Sequence, residues 1–64
     1  MNITQEKWDK AVEWVNKLLE EYQNLGIIGI FGAMVLRSYI RRYEAGERSE
    51  DLYESMDTAE KEDR

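Results

Sequence analysis

The sequence predicts an all-α fold: a helical hairpin followed by a short third helix, assembling as a homodimeric helical bundle. Three observations predict it. The 64-residue chain contains no proline and is rich in Glu, Lys, Leu and Ala, which favour helix. Apolar residues recur at spacings of three and four near its start. Residues 25–36 then form a 12-residue run without a polar side chain, and a chain this small is not expected to enclose such a run alone.

The first helix is predicted over residues 4–25. Thr4 suits the N-cap because its hydroxyl can accept a hydrogen bond from a free amide of the first turn. The apolar positions fill an arc of about 160° on an ideal helical wheel. They are Trp8, Ala11, Val12, Trp14, Val15, Leu18, Leu19, Tyr22 and Leu25. Because this arc exceeds what a two-helix seam needs, the helix is expected to contact more than one neighbour.

The apolar run 25–36 has three interpretations. A transmembrane helix needs about 20 apolar residues, and Arg37 ends this run sooner. A buried strand suits Ile, Val and Phe, but the rest of the chain offers no partner strand. A buried helix over residues 27–45 fits best. Its first half is apolar on all sides, as at the centre of a bundle.

Glycines mark both chain reversals. Gly26 suits the left-handed position that ends a helix, and Ile27 after it is expected to pack back against Tyr22. Gly46 repeats the signal before a third helix over residues 49–60, which Ser49 can cap. Residues 60–64 form a charged tail that is expected to fray. The whole chain, residues 1–64, is interpreted as one small helical domain.

Composition argues against catalysis, cofactors and metals. The chain has no Cys and no His, which removes thiolate ligands and the usual general base near neutral pH. No serine has a base, so no catalytic residue is predicted. The glycines at 26, 29 and 32 lack the Gly-Lys-Ser/Thr of a phosphate loop. We therefore predict a non-enzyme without a cofactor or a metal site.

Self-association is the predicted means of covering the apolar run. Gly29 and Ala33 form a small-x-x-x-small pair that allows two helices to approach closely. A homodimer with a four-helix core, and with the third helices outside it, is the preferred arrangement. The expected interface residues are Trp8, Val15, Leu19, Tyr22, Ile28, Gly29, Phe31, Gly32, Ala33, Val35 and Leu36.

Charge is sorted along the chain, whose net charge is −5. The middle carries three arginines, whereas residues 47–64 carry eight acids against three bases. Sorted charge steers association and partner choice more than fold. The predicted partner-binding residues are Trp14, Arg37, Arg41, Arg42, Glu50, Asp51 and Glu54. The favoured alternative for the arginines is a solvated helix face, or a face paired with acids of the third helix or of a partner chain, and for the acids it is a solubilising tail.

The function predicted from these features is a cytoplasmic protein-interaction module that binds itself and an unidentified protein partner. It would act as a small inhibitor or adaptor, similar to phage accessory proteins in size and composition only. A membrane-associated protein anchored through residues 25–40 is the first alternative. A nucleic-acid-directed module using the face of Arg37, Arg41 and Arg42 is the second, which the acidic net charge disfavours. No secretory signal peptide is expected at the start of the sequence.

Overall fold

The computed structural model describes residues 2–63, and within them it contains three α-helices and no strand. Helix α1 spans Gln5–Asn24, a short 3₁₀ turn spans Gly26–Gly29, α2 spans Ile30–Glu44 and α3 spans Glu50–Asp63. The prediction of an all-α fold is therefore confirmed. The predicted bounds lie within three residues of these, and residues 60–63 of the predicted tail continue α3. Arg64 lies outside the described residues.

Both predicted helix caps are present. The hydroxyl of Thr4 accepts a hydrogen bond from the backbone amide of Lys7 at 3.2 Å. The hydroxyl of Ser49 accepts one from the amide of Leu52, also at 3.2 Å. Each bond satisfies an amide that the first turn of a helix leaves without a partner.

The two reversals use left-handed glycines, as predicted. Gly26 has a φ of 69° and Gly46 a φ of 101°, a region that side chains with a Cβ rarely occupy. The expected packing of Ile27 against Tyr22 is wrong, since Ile27 is 85% exposed. The 3₁₀ turn after Gly26 carries this side chain outward and delays the start of α2 to Ile30.

The hydrophobic core draws on all three helices. Its fully buried members are Trp8, Ala11, Val15, Leu18, Leu36, Leu52 and Met56. The last two belong to α3 and are 0% exposed, so the expectation that the third helix lies outside the core is wrong. Helix α1 contacts both other helices, as the width of its apolar arc predicts.

The molecule is elongated, with extents of 37 × 25 × 15 Å. At one end, which we call the closed end, the start of α1 meets the link between α2 and α3. At the other end, which we call the tip, α1 turns into α2 through residues 25–29. The residues that the sequence singles out as apolar on all sides lie at the tip.

Candidate interaction surface

The tip and the first half of α2 expose a continuous set of large apolar side chains, which we call the apolar patch. It consists of Leu25, Ile27, Ile28, Ile30, Phe31, Met34 and Val35. Ile27, Ile28 and Phe31 are 85%, 87% and 79% exposed, respectively. The other four residues expose about half of their surface. Apolar residues exposed singly are ordinary, but a contiguous set marks a surface for binding.

Two glycines determine which side of α2 faces water. A Cβ at Gly29 would overlap the backbone carbonyl oxygen of Tyr22, and a Cβ at Gly32 would lie 3.0 Å from the Tyr22 ring. Ala33, one turn beyond Gly29, is also buried. The close contact expected at Gly29 and Ala33 thus lies between α1 and α2 of the same chain. Because the small residues face α1, the large apolar residues of this segment face outward.

The apolar patch is large for a chain of this size. Seven side chains exposed to this extent present on the order of 800 Å², about what one partner contributes to a stable complex. The largest apolar patch of a typical monomer covers about 300–600 Å². The surface therefore reaches the size of a protein interface.

An open groove of about 720 Å³ lies beside the patch, between α2 and α3. Leu18, Tyr22 and Leu36 contribute apolar surface to it, and Val35 belongs to both the groove and the patch. Asp51, Glu54 and Glu62 line it from α3. The patch thus continues into an apolar groove whose α3 wall is acidic.

Arg42 ties α2 to the start of α3. Its Nε lies 2.9 Å from Oε1 of Glu47, and its Nη2 lies 3.1 Å from the carboxylate of Asp51. The hydrogen bond from Arg42, followed by that from Ser49, lowers the pKa of Glu47 to about 2. The hydrogen bonds to Glu47 and then to Asp51 raise the pKa of Arg42. This predicted partner-binding residue is therefore engaged within the chain.

Arg37 and Arg41 differ from Arg42. Neither forms an ion pair or a side-chain hydrogen bond within the described residues. Arg37 lines a small groove with Ile30 and Met34, on the side of α2 away from α3. One edge of the apolar patch is therefore basic, whereas the edge toward α3 is acidic.

Trp14 lies on a different surface. It is half-buried in a groove between α1 and α3 that Tyr53 and Asp57 also line. The ammonium of Lys17 lies 5.7 Å from its ring, and its indole N–H has no hydrogen-bond acceptor within residues 2–63. The fold thus separates Trp14 from the three arginines that are likewise predicted to bind a partner. Of the predicted acids, Glu54 faces the α2–α3 groove and Glu50 is exposed at the start of α3.

The predicted interface residues divide by burial. Those buried inside the chain are Trp8, Val15, Gly29, Ala33 and Leu36. Those partly buried are Leu19, Tyr22 and Gly32, and those exposed are Ile28, Phe31 and Val35. Sequence reasoning left out four patch members: Leu25, Ile27, Ile30 and Met34. On a helical wheel of α2, Ile30 and Met34 lie away from Ala33 and Leu36. The small residues of this segment share the inward face, and that pattern in the sequence could have identified the exposed face opposite them.

Other kinds of site find little support in the described part of the chain. Residues 2–63 contain no group of three acidic side chains placed to hold a metal ion. None of the described helices is both long and apolar enough to cross a bilayer. Comparisons with known protein families, with characterised proteins and with solved structures find no match to this chain.

Proposed function

We propose that this chain is a protein-interaction module that presents its apolar patch to another protein surface, first of all to a second copy of itself. As a small inhibitor or adaptor, the assembled form would then block or bridge a further protein partner. The observation that carries the proposal is the apolar patch, exposed on a chain that buries a separate core of its own.

The cost of leaving the patch in water supports association. Burying a large apolar side chain contributes about 1.5–3 kcal/mol relative to leaving it exposed. Ile27, Ile28 and Phe31 each expose more than three quarters of their surface. A second copy offers the same surface, and a two-fold axis brings a patch against its own equivalent.

Two of the three serine hydroxyls are engaged within their own helices, and the third, that of Ser49, donates to the carboxylate of Glu47 at 2.6 Å. Ser38 donates a hydrogen bond to the carbonyl of Val35 at 2.7 Å, and Ser55 donates one to that of Asp51 at 2.9 Å. Such bonds within a helix leave the hydroxyl without an activating base. The exposed apolar patch supports a role in binding.

Sedimentation equilibrium across a wide concentration range tests the proposal. The parent chain is expected to be dimeric at micromolar concentration. A variant carrying Ile28→Glu and Phe31→Glu is expected to be a folded monomer, because its charges would be buried without partners in the interface. Asn16→Glu, at an exposed position of α1, is the control and should dimerise like the parent. A parent chain that stays monomeric throughout this range would refute self-association.

Binding to a membrane surface is the second candidate. Its support is the position of Ile27, Ile28 and Phe31 at one end of an elongated molecule, where apolar side chains could enter a lipid interface. Glu20 and Glu21 lie in the last turns of α1, near the tip, and would be repelled by anionic lipid. Sedimentation with neutral and with anionic vesicles separates this candidate from a protein partner. The nucleic-acid alternative has weaker support, since Arg42 is held by Glu47 and Asp51.

A further inference from the structure

We propose that the second copy lies in the groove between α2 and α3, with its α2 parallel to the first and its Arg37 and Arg41 against Glu54. This inference rests on the proposed self-association and specifies its geometry. The groove has apolar surface and an acidic wall, so its occupant should be a helix with an apolar stripe and a basic edge. Within this chain, α2 has both.

The two edges of the apolar patch differ in charge. Val35 lines the groove that Asp51, Glu54 and Glu62 border. On the other side of α2, Met34 lines a groove with Arg37. On a helical wheel Arg41 lies one turn from Arg37 and on the same edge. The exposed stripe of α2 thus runs between arginines and acids.

The two-fold symmetry of a dimer relates the charge of these edges to the relative direction of the two α2 helices. A two-fold axis that runs along α2 places each edge of the patch against the opposite edge of the other copy. Arginines then meet acids twice, once on each side of the axis. An axis that crosses α2 instead places each edge against the same edge, so arginines meet arginines. Because like charges across an interface are unfavourable, the parallel arrangement is favoured.

The register of α2 and α3 places Glu54, along the bundle axis, between the positions of Arg37 and Arg41. Arg42 contacts Asp51 at 3.1 Å, which aligns these two residues along the bundle. The helices run in opposite directions and each rises about 1.5 Å per residue. Glu54 therefore lies level with Tyr39, between the heights of Arg37 and Arg41. A parallel second copy keeps these heights, so both of its arginines flank Glu54.

Both arginines are available for this role. Neither has an ion pair within the described residues, in contrast to Arg42. Glu54 is exposed and likewise forms no ion pair within residues 2–63. Placing α2 of the second copy in the groove would pair these charges. It would also cover Val35 and the exposed apolar surface of Phe31.

Single cysteines test the orientation, because the parent chain contains none. Ile27→Cys lies in the 3₁₀ turn just before α2 and Ser38→Cys lies within α2, toward opposite ends of the exposed apolar stripe. In the parallel arrangement each variant alone should form a disulfide-linked dimer on oxidation. In the antiparallel arrangement neither links alone, and only a mixture of the two variants links. Cross-linking confined to the mixture would overturn the proposal.

Charge reversal tests the pairing. Arg41→Glu and Glu54→Arg should each raise the dissociation constant of the dimer by about ten- to a hundredfold, because each sets like charges together. The double variant with both changes should recover most of the lost affinity. Glu20→Arg, at an exposed position of α1, is the matched control and should leave the constant within about twofold. Circular dichroism of each variant should match the parent.

The outcomes distinguish the proposed dimer geometry from the proposal of self-association on which it rests. If the parent dimerises but the reversals have no effect, or the double variant does not recover, the groove geometry is wrong while self-association stands. If the parent chain is monomeric, both proposals are wrong. Self-linking at both cysteine positions together with recovery in the double variant would establish the parallel dimer.

Discussion

The closed end and the tip differ in how their side chains are covered. At the closed end, the guanidinium of Arg48 lies 3.6 Å from the centroid of the Tyr43 ring. The same group donates a hydrogen bond to the backbone carbonyl of Tyr43 at 2.8 Å. Trp8 packs edge-on against Tyr53, with ring centroids 5.3 Å apart. The rings of Tyr43 and Tyr53 at this end thus both contact the ring of Trp8.

At the tip, small residues contact α1 while large ones face water. Gly29 is buried against Tyr22, yet Ile28 beside it is 87% exposed. Aromatic and basic side chains thus complete the fold at one end, whereas the other end keeps an aliphatic surface that nothing within residues 2–63 covers. The buried core therefore lies toward the closed end, whereas the tip exposes large apolar side chains, which suits the proposed role of the apolar patch in association.

The largest expected effect comes from removing a core side chain. Leu52→Ala should destabilise the fold by about 2–5 kcal/mol, because it leaves a cavity where a fully buried side chain stood. Chemical denaturation of the monomeric Ile28→Glu, Phe31→Glu background gives the free energy of unfolding without a contribution from association. A loss below about 1 kcal/mol would contradict the assignment of α3 to the core.

The next effect concerns the glycine contact at the tip. Gly29→Ala should destabilise the same background by about 1–3 kcal/mol, because the new Cβ would overlap the Tyr22 carbonyl. Its φ of −90° is ordinary, so backbone strain does not contribute. Gly32→Ala is the matched comparison. Its Cβ would lie 3.0 Å from the Tyr22 ring and would not overlap the backbone, so it should cost less than Gly29→Ala. Equal stability of Gly29→Ala and the parent would show that the two helices are not in close contact there.

A third effect is a pH dependence near the closed end. The pKa of Glu47 is lowered from 4.5 to about 2, first by the hydrogen bond from Arg42 and then by that from Ser49. A carboxylate whose pKa is lower in the folded state than in the unfolded state stabilises the fold at pH values above its unfolded-state pKa. That contribution is lost as the pH falls from about 4.5 toward 2. Carbon-detected NMR titration should find Glu47 still ionised at pH 3.

Glu47→Gln extends this test. The variant should lose stability at pH 7 and show a shallower decline between pH 4.5 and 2 than the parent. Glu20→Gln, an exposed glutamate of α1, removes the same charge and should keep the parental slope. A parental slope in Glu47→Gln would contradict the role of the Arg42–Glu47 pair.

The smallest expected effect is at the exposed side chains of the tip. Ile27→Ser in the monomeric background should change the free energy of unfolding by no more than about 0.5 kcal/mol, as exposed substitutions usually do. In the parent background it should weaken the dimer. A large loss of monomer stability would mean that the tip also takes part in the core, and the contrast between the two ends would fail.

Local signals made much of this fold predictable. Thr4, Ser49, Gly26 and Gly46 act through the backbone within a few residues, so the sequence places the helix ends closely. The amphipathic pattern of α1 likewise predicts a helix with more than one neighbour. These features depend on spacing along the chain and need no knowledge of tertiary contacts.

The exposed surface was less predictable for a physical reason. A helix that is apolar on every side gives no periodic signal for the face that turns inward. The face of α2 that turns inward is determined by Gly29 and Gly32, whose lack of a side chain allows close approach to Tyr22. The three arginines are alike in sequence, yet only Arg42 lies where Glu47 and Asp51 can reach it. Both distinctions depend on how the helices pack.

The placement of the two tryptophans has a spectroscopic consequence. Trp8 is 3% exposed in the core and Trp14 is half-buried between α1 and α3. Neither lines the α2–α3 groove or belongs to the apolar patch. Their fluorescence emission should therefore report loss of the folded core and stay nearly constant when the tip is occupied. Unfolding and assembly can thus be followed separately in one sample, with intrinsic emission for the first and sedimentation for the second.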